Sequence, residues 1–345
     1  MTTPQVVIIS ASMGAGHDVA AGVLAERLRA RGAHVDVVDM LSLAPMRQGD
    51  LLRGFYRQMI SRAPGFYDYV MRSWTTHPGF FEWLTTRGSG GYERGLHRLL
   101  ERTRPDVVVA TYNLTAQLLG RMKQRGAFEQ PCLSYVTDPG PHRYWVAAGI
   151  DAHLVPMEVT AAAMRGWGAA GVQVVAPVVD DRFVAVRDAR RRNEAGDGQV
   201  VLVNGGSWGV GATAHTAEVL ARSGARPLVV CGRSTSLYAA VSAVDGAEPV
   251  GWTDDMVGLI AKSDLLVDNA GGMTCWEALA AGLPVVVHQA IAGHGRLNAE
   301  TLSEANLAVS TRTDAELAAA LTTPVPDVTE VFAQPDAADC IAKLW

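Results

Sequence analysis

One pattern constrains this chain more than any other. A short apolar run breaks at a glycine-rich turn, a helix-compatible segment follows, and a second apolar run begins. Near the start, Val6-Val7-Ile8-Ile9 leads through Ser10-Ala11-Ser12-Met13-Gly14-Ala15-Gly16-His17 into an amphipathic segment from about Asp18 to Arg31, which Gly32 closes. Val200-Val201-Leu202-Val203 repeats the pattern with the turn 204–211 and a helix from about Thr213. It returns at Leu265-Leu266-Val267, with the turn Asp268-Asn269-Ala270-Gly271-Gly272 and a helical stretch that Gly282 and Pro284 end before Val285-Val286-Val287. Such units build parallel sheets covered by helices, so the expected class is α/β. A length of 345 residues suits two domains of roughly 150 residues each.

The third unit has a chemical use. Paired glycines let a ligand approach the backbone while the N–H groups at a helix start point at it, an arrangement that suits an anion. Thr274 would add a hydroxyl to that anion, and Glu277 lies one turn deeper on the same helix face. A βαβ packing turn is the competing reading.

In the first unit, two glycines without a third make a poor dinucleotide fingerprint, and no Walker lysine follows. His17 stands at the helix start, where the macrodipole would lower its pKa and leave it a neutral proton acceptor. Asp138 and His142 follow the strand Cys132 to Val136, and functional groups gather at the C-terminal ends of parallel strands. They are therefore expected at the same edge as His17, with a turn-capping role for Asp138 as the alternative. Strands are also expected at 106–110, 227–231 and 248–250, and helices at 114–125 and 254–262.

Between Pro45 and Pro105 the pattern changes. Ten aromatic residues, among them Phe55, Tyr56, Phe66, Tyr67, Tyr69 and Trp74, are interleaved with ten arginines and only five acids, inside a chain of net charge −5. Rings that settle among headgroups beside guanidinium groups that meet phosphates suit a membrane surface. Core aromatics under solvated arginines are the equal alternative. No segment approaches the roughly 20 uninterrupted apolar residues of a membrane span, and the N-terminus carries no basic region or cleavage site. Cys132, Cys231, Cys275 and Cys340 match no metal or disulfide spacing. The expected location is cytoplasmic, peripheral at the inner face of the plasma membrane. The net charge argues against nucleic acid as a partner.

Three stretches carry a resemblance: Gly14-Ala15-Gly16-His17; Thr137-Asp138-Pro139 with His142 and Trp145; and residues 251–300, where Gly271-Gly272-Met273-Thr274, Glu277-Ala278-Leu279-Ala280 and Gly282-Leu283-Pro284 fall in order. Over nearly its whole length the chain resembles the GT-B glycosyltransferases of the monogalactosyldiacylglycerol synthase and diacylglycerol glucosyltransferase type. These are related to the N-acetylglucosaminyltransferase of the peptidoglycan lipid precursor. The repeated pattern and this resemblance together imply two doubly wound Rossmann-like domains facing across a cleft: an acceptor- and membrane-facing domain at 1–178, a linker at 179–198 read from the Arg, Asp and Gly of its composition, a nucleotide-sugar domain at 199–325, and a tail at 326–345 expected to pack back on the first domain.

The activity implied is inverting, metal-independent transfer of a hexose from a UDP-sugar to a hydroxyl of a membrane lipid such as diacylglycerol, with the nucleotide sugar as co-substrate and no cofactor. Trp252 and Thr253 would meet the base, Gly271, Gly272 and Thr274 the pyrophosphate, and Glu277 the ribose. Gly206 and Ser207 would close over the phosphates. Gly14, Gly16 and His142 would form the acceptor or phosphate loop, and His17 or Asp138 would serve as base.

Two departures stand out. Ser12 replaces an Asp that galactolipid-forming members often carry. Gly293-His294-Gly295-Arg296 replaces a Gly-Gln-Glu stretch, so bonds to sugar hydroxyls are lost and Arg296 would suit a carboxylated or phosphorylated group. The readings that compete are transfer to a soluble natural product, UDP-sugar epimerisation, and an inactive nucleotide-sugar- or membrane-binding homologue.

Overall fold

The computed structural model describes residues 3–45, 48–76, 89–189 and 198–345. The chain divides into two compact units, Met1–Val178 with Ala333–Trp345, and Val179–Phe332. Of the residues singled out in the aromatic and basic segment, Arg47, Phe80, Phe81, Trp83 and Arg87 lie outside the described residues, as do the side chains of Arg72 and Trp74.

The first unit holds β1 (Gln5–Ser10), β2 (His34–Asp39), β3 (Val107–Ala110), β4 (Cys132–Tyr135), β5 (Ala152–Val155) and β6 (Val172–Val174). All neighbours are parallel, in the order β2-β1-β3-β4-β5-β6. Central strands covered on both faces need continuous apolar runs. Accordingly, Val6 to Ile9 and Val107 to Ala110 are wholly buried. Among the described residues before Val178 the α-helices are α1 (Ala15–Ala30), α2 (Gln48–Arg62), α3 (Pro64–Thr76), α4 (Gly90–Thr103), α5 (Asn113–Gln124) and α6 (Glu158–Gly166). Helix α1 starts three residues ahead of the boundary read from sequence, which places His17 inside its first turn.

Helices α2 and α3 divide the aromatic residues between two surroundings. Leu52 and Tyr56 of α2 pack on the core and Tyr67 of α3 is 3% exposed, whereas Leu51, Phe55, Phe66 and Tyr69 are exposed. The core reading thus holds for Leu52, Tyr56 and Tyr67, and not for Leu51, Phe55, Phe66 and Tyr69. Leu51 and Phe55, four residues apart, lie on one face of α2.

The second unit holds α7 (Asp181–Ala189), β7 (Val200–Asn204), α8 (Thr213–Arg222), β8 (Arg226–Val230), α9 (Thr235–Ser242), β9 (Glu248–Val250), α10 (Met256–Ala261), β10 (Leu265–Asp268), α11 (Met273–Ala280), β11 (Val285–His288), α12 (His294–Glu304), β12 (Val309–Thr311), α13 (Asp314–Ala319) and α14 (Thr329–Phe332). Its parallel sheet runs β12-β11-β10-β7-β8-β9, the doubly wound order. The stretch read as a linker differs in its first half. Residues 181–189 form α7, which buries Phe183 and packs against α10 and α11, with the Arg187 stem against Gly282. Residues 190–197 lie outside the described residues.

The last helix, α15 (Ala337–Ala342), belongs to the first unit. Asp336 caps it through the Ala338 N–H at 2.6 Å. Arg27 and Arg31 of α1 pair with Asp336 at 3.2 Å and Asp339 at 2.7 Å. The Ala176 N–H donates to the Pro335 carbonyl at 2.9 Å.

Candidate active site

In each sheet the loops beyond the C-terminal strand ends converge where the strand order reverses, between β1 and β3 in the first unit and between β7 and β10 in the second.

At the first of these points, Gly14 precedes α1 in extended backbone with φ 174°, and a Cβ there would meet no atom within 4 Å, so the turn is open to a ligand. Gly16 and His17 follow in the first turn of α1. The His17 Nδ1 lies 2.9 Å from the carbonyl oxygen of Thr111, just past β3, and 3.0 Å from Oγ1 of Thr137, just past β4. A carbonyl only accepts, so Nδ1 carries the proton and Nε2 keeps its lone pair. The Thr111 hydroxyl donates in turn to the His17 carbonyl at 3.2 Å.

The Tyr112 ring meets the imidazole edge-on at 5.0 Å between centroids. Burial leads in lowering the His17 pKa, while the Asp138 charge, the Thr111 bond and Asp18 pull it back up. The direction is the one expected from the helix start, but its leading cause is desolvation.

Asp138 accepts a bond from the indole Nε1 of buried Trp145 at 2.8 Å. His142 is buried, with Nε2 3.2 Å from Nδ2 of Asn113, and stacks on Tyr144 at 6.5 Å. His17, Asp138 and His142 therefore stand at one sheet edge. Near them the hydroxyls of Tyr56 and Tyr67 meet at 3.2 Å, joining α2 to α3.

At the second point, two polar residues end otherwise apolar strands. Nδ2 of Asn204 donates to Oδ2 of Asp268 at 2.7 Å and to Oγ1 of Thr274 at 3.1 Å, while Oδ1 of Asn204 accepts the Gly206 N–H at 3.0 Å. The other Asp268 oxygen accepts the N–H groups of Ala270 and Gly271 at 2.6 and 2.7 Å. Burial raises the pKa of Asp268, opposed by these bonds.

The Gly271 N–H is thus already taken and is not a donor for an anion. Gly271 serves the backbone instead. Its φ is +65°, and a Cβ there would stand 2.8 Å from that of Asn298, whose amide donates to the Ala270 carbonyl at 3.0 Å. The donors left for an anion are the first N–H groups of α11, on Met273 and Thr274, which precede any intrahelical acceptor. A Cβ at Gly272 would meet nothing within 4 Å, so this start is open. The Thr274 oxygen accepts from Asn204 and leaves its own proton to donate.

One turn deeper, Glu277 is 7% exposed, and its carboxyl makes no hydrogen bond among the described residues. Burial, then the charges of Asp180 and Asp268, push its pKa up to about 8. At neutral pH its carboxyl is protonated and able both to donate and to accept.

Around this edge, Gly206 turns with φ +66°, and the Ser207 carbonyl accepts the Arg233 N–H at 3.0 Å. The Arg233 guanidinium lies 3.9 Å over the half-exposed Trp252 ring. The Thr253 hydroxyl oxygen accepts from the Asp255 N–H at 3.0 Å and so helps to start α10. His294 and the exposed Arg296 open α12, after the loop that follows β11.

Thr111, Thr137, Asn204, Arg233 and Asp268 did not emerge from the sequence as site residues. For Asn204 and Asp268 a signal was present, since each is the lone polar residue closing a buried strand. Among the described residues no group of three or more His, Cys, Asp or Glu is placed to hold a metal ion.

Comparison with known proteins places both halves. Residues 17–176 match the family model of monogalactosyldiacylglycerol (MGDG) synthase, and residues 200–331 match the glycosyltransferase family 28 C-terminal domain. A processive diacylglycerol beta-glucosyltransferase of Bacillus mycoides is 22% identical over 91% of this chain and 84% of its own length. MurG of Acinetobacter baumannii superimposes with a TM-score of 0.59 at 17% identity, covering 99% of this chain and 98% of its own. LpCGTa, crystallised in complex with UDP, does so with a TM-score of 0.55 at 18% identity, covering 99% and 94%.

Proposed function

We propose that this chain, a glycosyltransferase of GT-B fold that belongs to the monogalactosyldiacylglycerol synthase family in its first half and to glycosyltransferase family 28 in its second, moves a hexose from a UDP-sugar to a hydroxyl of a membrane lipid such as diacylglycerol. The observation that carries this reading is the open start of α11 above Glu277, a buried carboxyl with no hydrogen bond among the described residues. Helix-start N–H groups suit a diphosphate, and a protonated acid that both donates and accepts suits the hydroxyl pair of a ribose. The diacylglycerol-glucosylating relative supports a lipid acceptor, and the UDP-bound neighbour supports a uridine donor.

In the proposed reaction, Nε2 of His17 takes the proton of the acceptor hydroxyl. The resulting oxygen bonds to the anomeric carbon as the bond to the diphosphate breaks, which inverts that centre. The electron pair leaves with the diphosphate, whose charge the α11 N–H groups and the Thr274 hydroxyl stabilise. Asp138 favours the imidazolium by its charge. The proposed route invokes no metal ion and no cofactor.

Leu51, Phe55, Phe66 and Tyr69, exposed beside the Tyr56–Tyr67 pair, supply an apolar surface for peripheral attachment, at the inner face of the plasma membrane in this reading. No helix among the described residues is long and apolar enough to cross a membrane. The test is transfer of labelled sugar from UDP-hexose into extractable lipid in the presence of membranes. The expected result is transfer by the wild type and none by Glu277→Ala; full activity in that variant would sink the donor-site assignment.

A further inference from the structure

Histidine bases are commonly oriented by a carboxylate on the far ring nitrogen. Here a carboxylate is close, yet it does not occupy that position. The His17 Nδ1 has two neighbours, the Thr111 carbonyl at 2.9 Å and the Thr137 hydroxyl at 3.0 Å, whereas Asp138 is bonded to the Trp145 indole at 2.8 Å. We propose that Thr137 is the positioning residue that completes a two-acceptor clamp on Nδ1 of His17, whose tautomer the Thr111 carbonyl fixes. Trp145 holds Asp138 as a charge that acts on the ring without bonding to it. The catalytic consequence rests on the reading of His17 as base; the tautomer assignment does not.

The fold makes this clamp rigid. The Thr111 N–H donates to the Ile9 carbonyl at 3.2 Å, extending the β1–β3 ladder, and the Val136 N–H donates to the Leu154 carbonyl at 2.8 Å, extending β4 against β5. Both threonines are therefore carried on continued strands, and both are buried, so water does not compete for the Nδ1 proton. Both acceptors are neutral. They hold the proton on Nδ1 in the resting state, and the same bonds strengthen when Nε2 gains a proton and the ring becomes cationic.

The charged groups that act on the ring are Asp18 from its own helix, itself bonded to the Ser10 hydroxyl at 2.5 Å, and Asp138 from the segment after β4. The segment after β3 contributes the phenol of Tyr112, which burial keeps neutral. A clamp of neutral acceptors with one charge held off the ring separates two tasks that a bonded carboxylate performs together. The Thr111 carbonyl sets which nitrogen is bare, Thr137 completes the clamp on the other, and Asp138 sets how readily the bare one is protonated.

The experiment compares the wild type with Thr137→Val, Thr137→Ser and Asp138→Asn. The primary readout is the imidazole ¹⁵N spectrum of His17 in the free protein, followed through a pH titration. The wild type is expected to show a bare Nε2 and a protonated Nδ1. Thr137→Val should keep the proton on Nδ1, where the Thr111 carbonyl still accepts it, but shift the Nδ1 resonance and lower the titration midpoint, because a bond favouring the cation is lost. Thr137→Ser should restore both. Asp138→Asn should lower the midpoint and leave the tautomer unchanged.

In transfer assays, Thr137→Val should lower kcat about tenfold, the worth of one hydrogen bond, with the donor KM unchanged and the acid limb of the pH profile displaced in step. A wild-type spectrum in Thr137→Val, or a scrambled tautomer in Asp138→Asn, overturns the proposal. The asparagine variant decides the matter without touching the threonine. The spectra need no acceptor, so a protein that keeps the clamp but transfers no sugar to lipid refutes the lipid reading alone.

Discussion

Replacing Glu277 by glutamine preserves the size of the side chain and removes its proton equilibrium. In the folded chain the carboxyl has a pKa of about 8, against an ordinary value of 4.5 once unfolding returns it to water. Between those values the native state holds a proton that the unfolded state has released, so raising the pH weakens folding. The stabilising contribution is complete below pH 4.5 and lost as the pH climbs through about 8. The interval, at about 1.4 kcal/mol per pH unit, sets a ceiling of about 5 kcal/mol.

Glu277→Gln has no such equilibrium, and it breaks no hydrogen bond because the acid makes none among the described residues. It also removes the repulsion from Asp180 and Asp268. The difference in unfolding free energy between the two proteins should therefore swing toward the variant from about pH 5 to about pH 8, at about 1.4 kcal/mol per unit, and be flat on either side. Urea unfolding of both proteins across that range measures it. Two parallel stability curves would refute the argument, because they would mean that Glu277 titrates alike in both states and is not the desolvated, proton-holding group on which the proposed donor site depends.

Two further variants test other parts of the structure. Gly271→Ala forces a side chain into left-handed backbone and against Asn298, so unfolding should become easier by about 2 kcal/mol, read as a lower Tm, with UDP binding weakened in calorimetry. Leu51→Ser combined with Phe55→Ser removes two exposed apolar groups from α2. It should leave the Tm unchanged while reducing flotation with lipid vesicles, and undiminished flotation would move the attachment surface elsewhere.

The strands were the most legible part of the sequence, because parallel strands covered on both faces leave apolar runs such as Val6 to Ile9 and Val285 to Val287. The glycine turns were legible too, but what their N–H groups bind was not. Nothing in Asp268-Asn269-Ala270-Gly271 says that the strand-final carboxylate curls back to take two of them. His17 was a candidate from its place in the first turn, whereas its partners lie 94 and 120 residues along the chain and become neighbours only through the strand order. The first half of the presumed linker misled by composition. Arg and Asp dominate it, and Phe183, the residue that anchors α7, is a weak signal among charges.

The chain makes its first unit in two instalments. Residues 3–178 emerge first, then the whole of the second unit, and only afterwards residues 333–345, with the Asp336 and Asp339 carboxylates that grip Arg27 and Arg31. During synthesis the amino-terminal unit must therefore wait, its docking surface for α15 uncovered, while some 150 further residues are added, a length set by the second unit itself. A frameshift or premature stop late in the reading frame would leave its mark on the half of the molecule translated first.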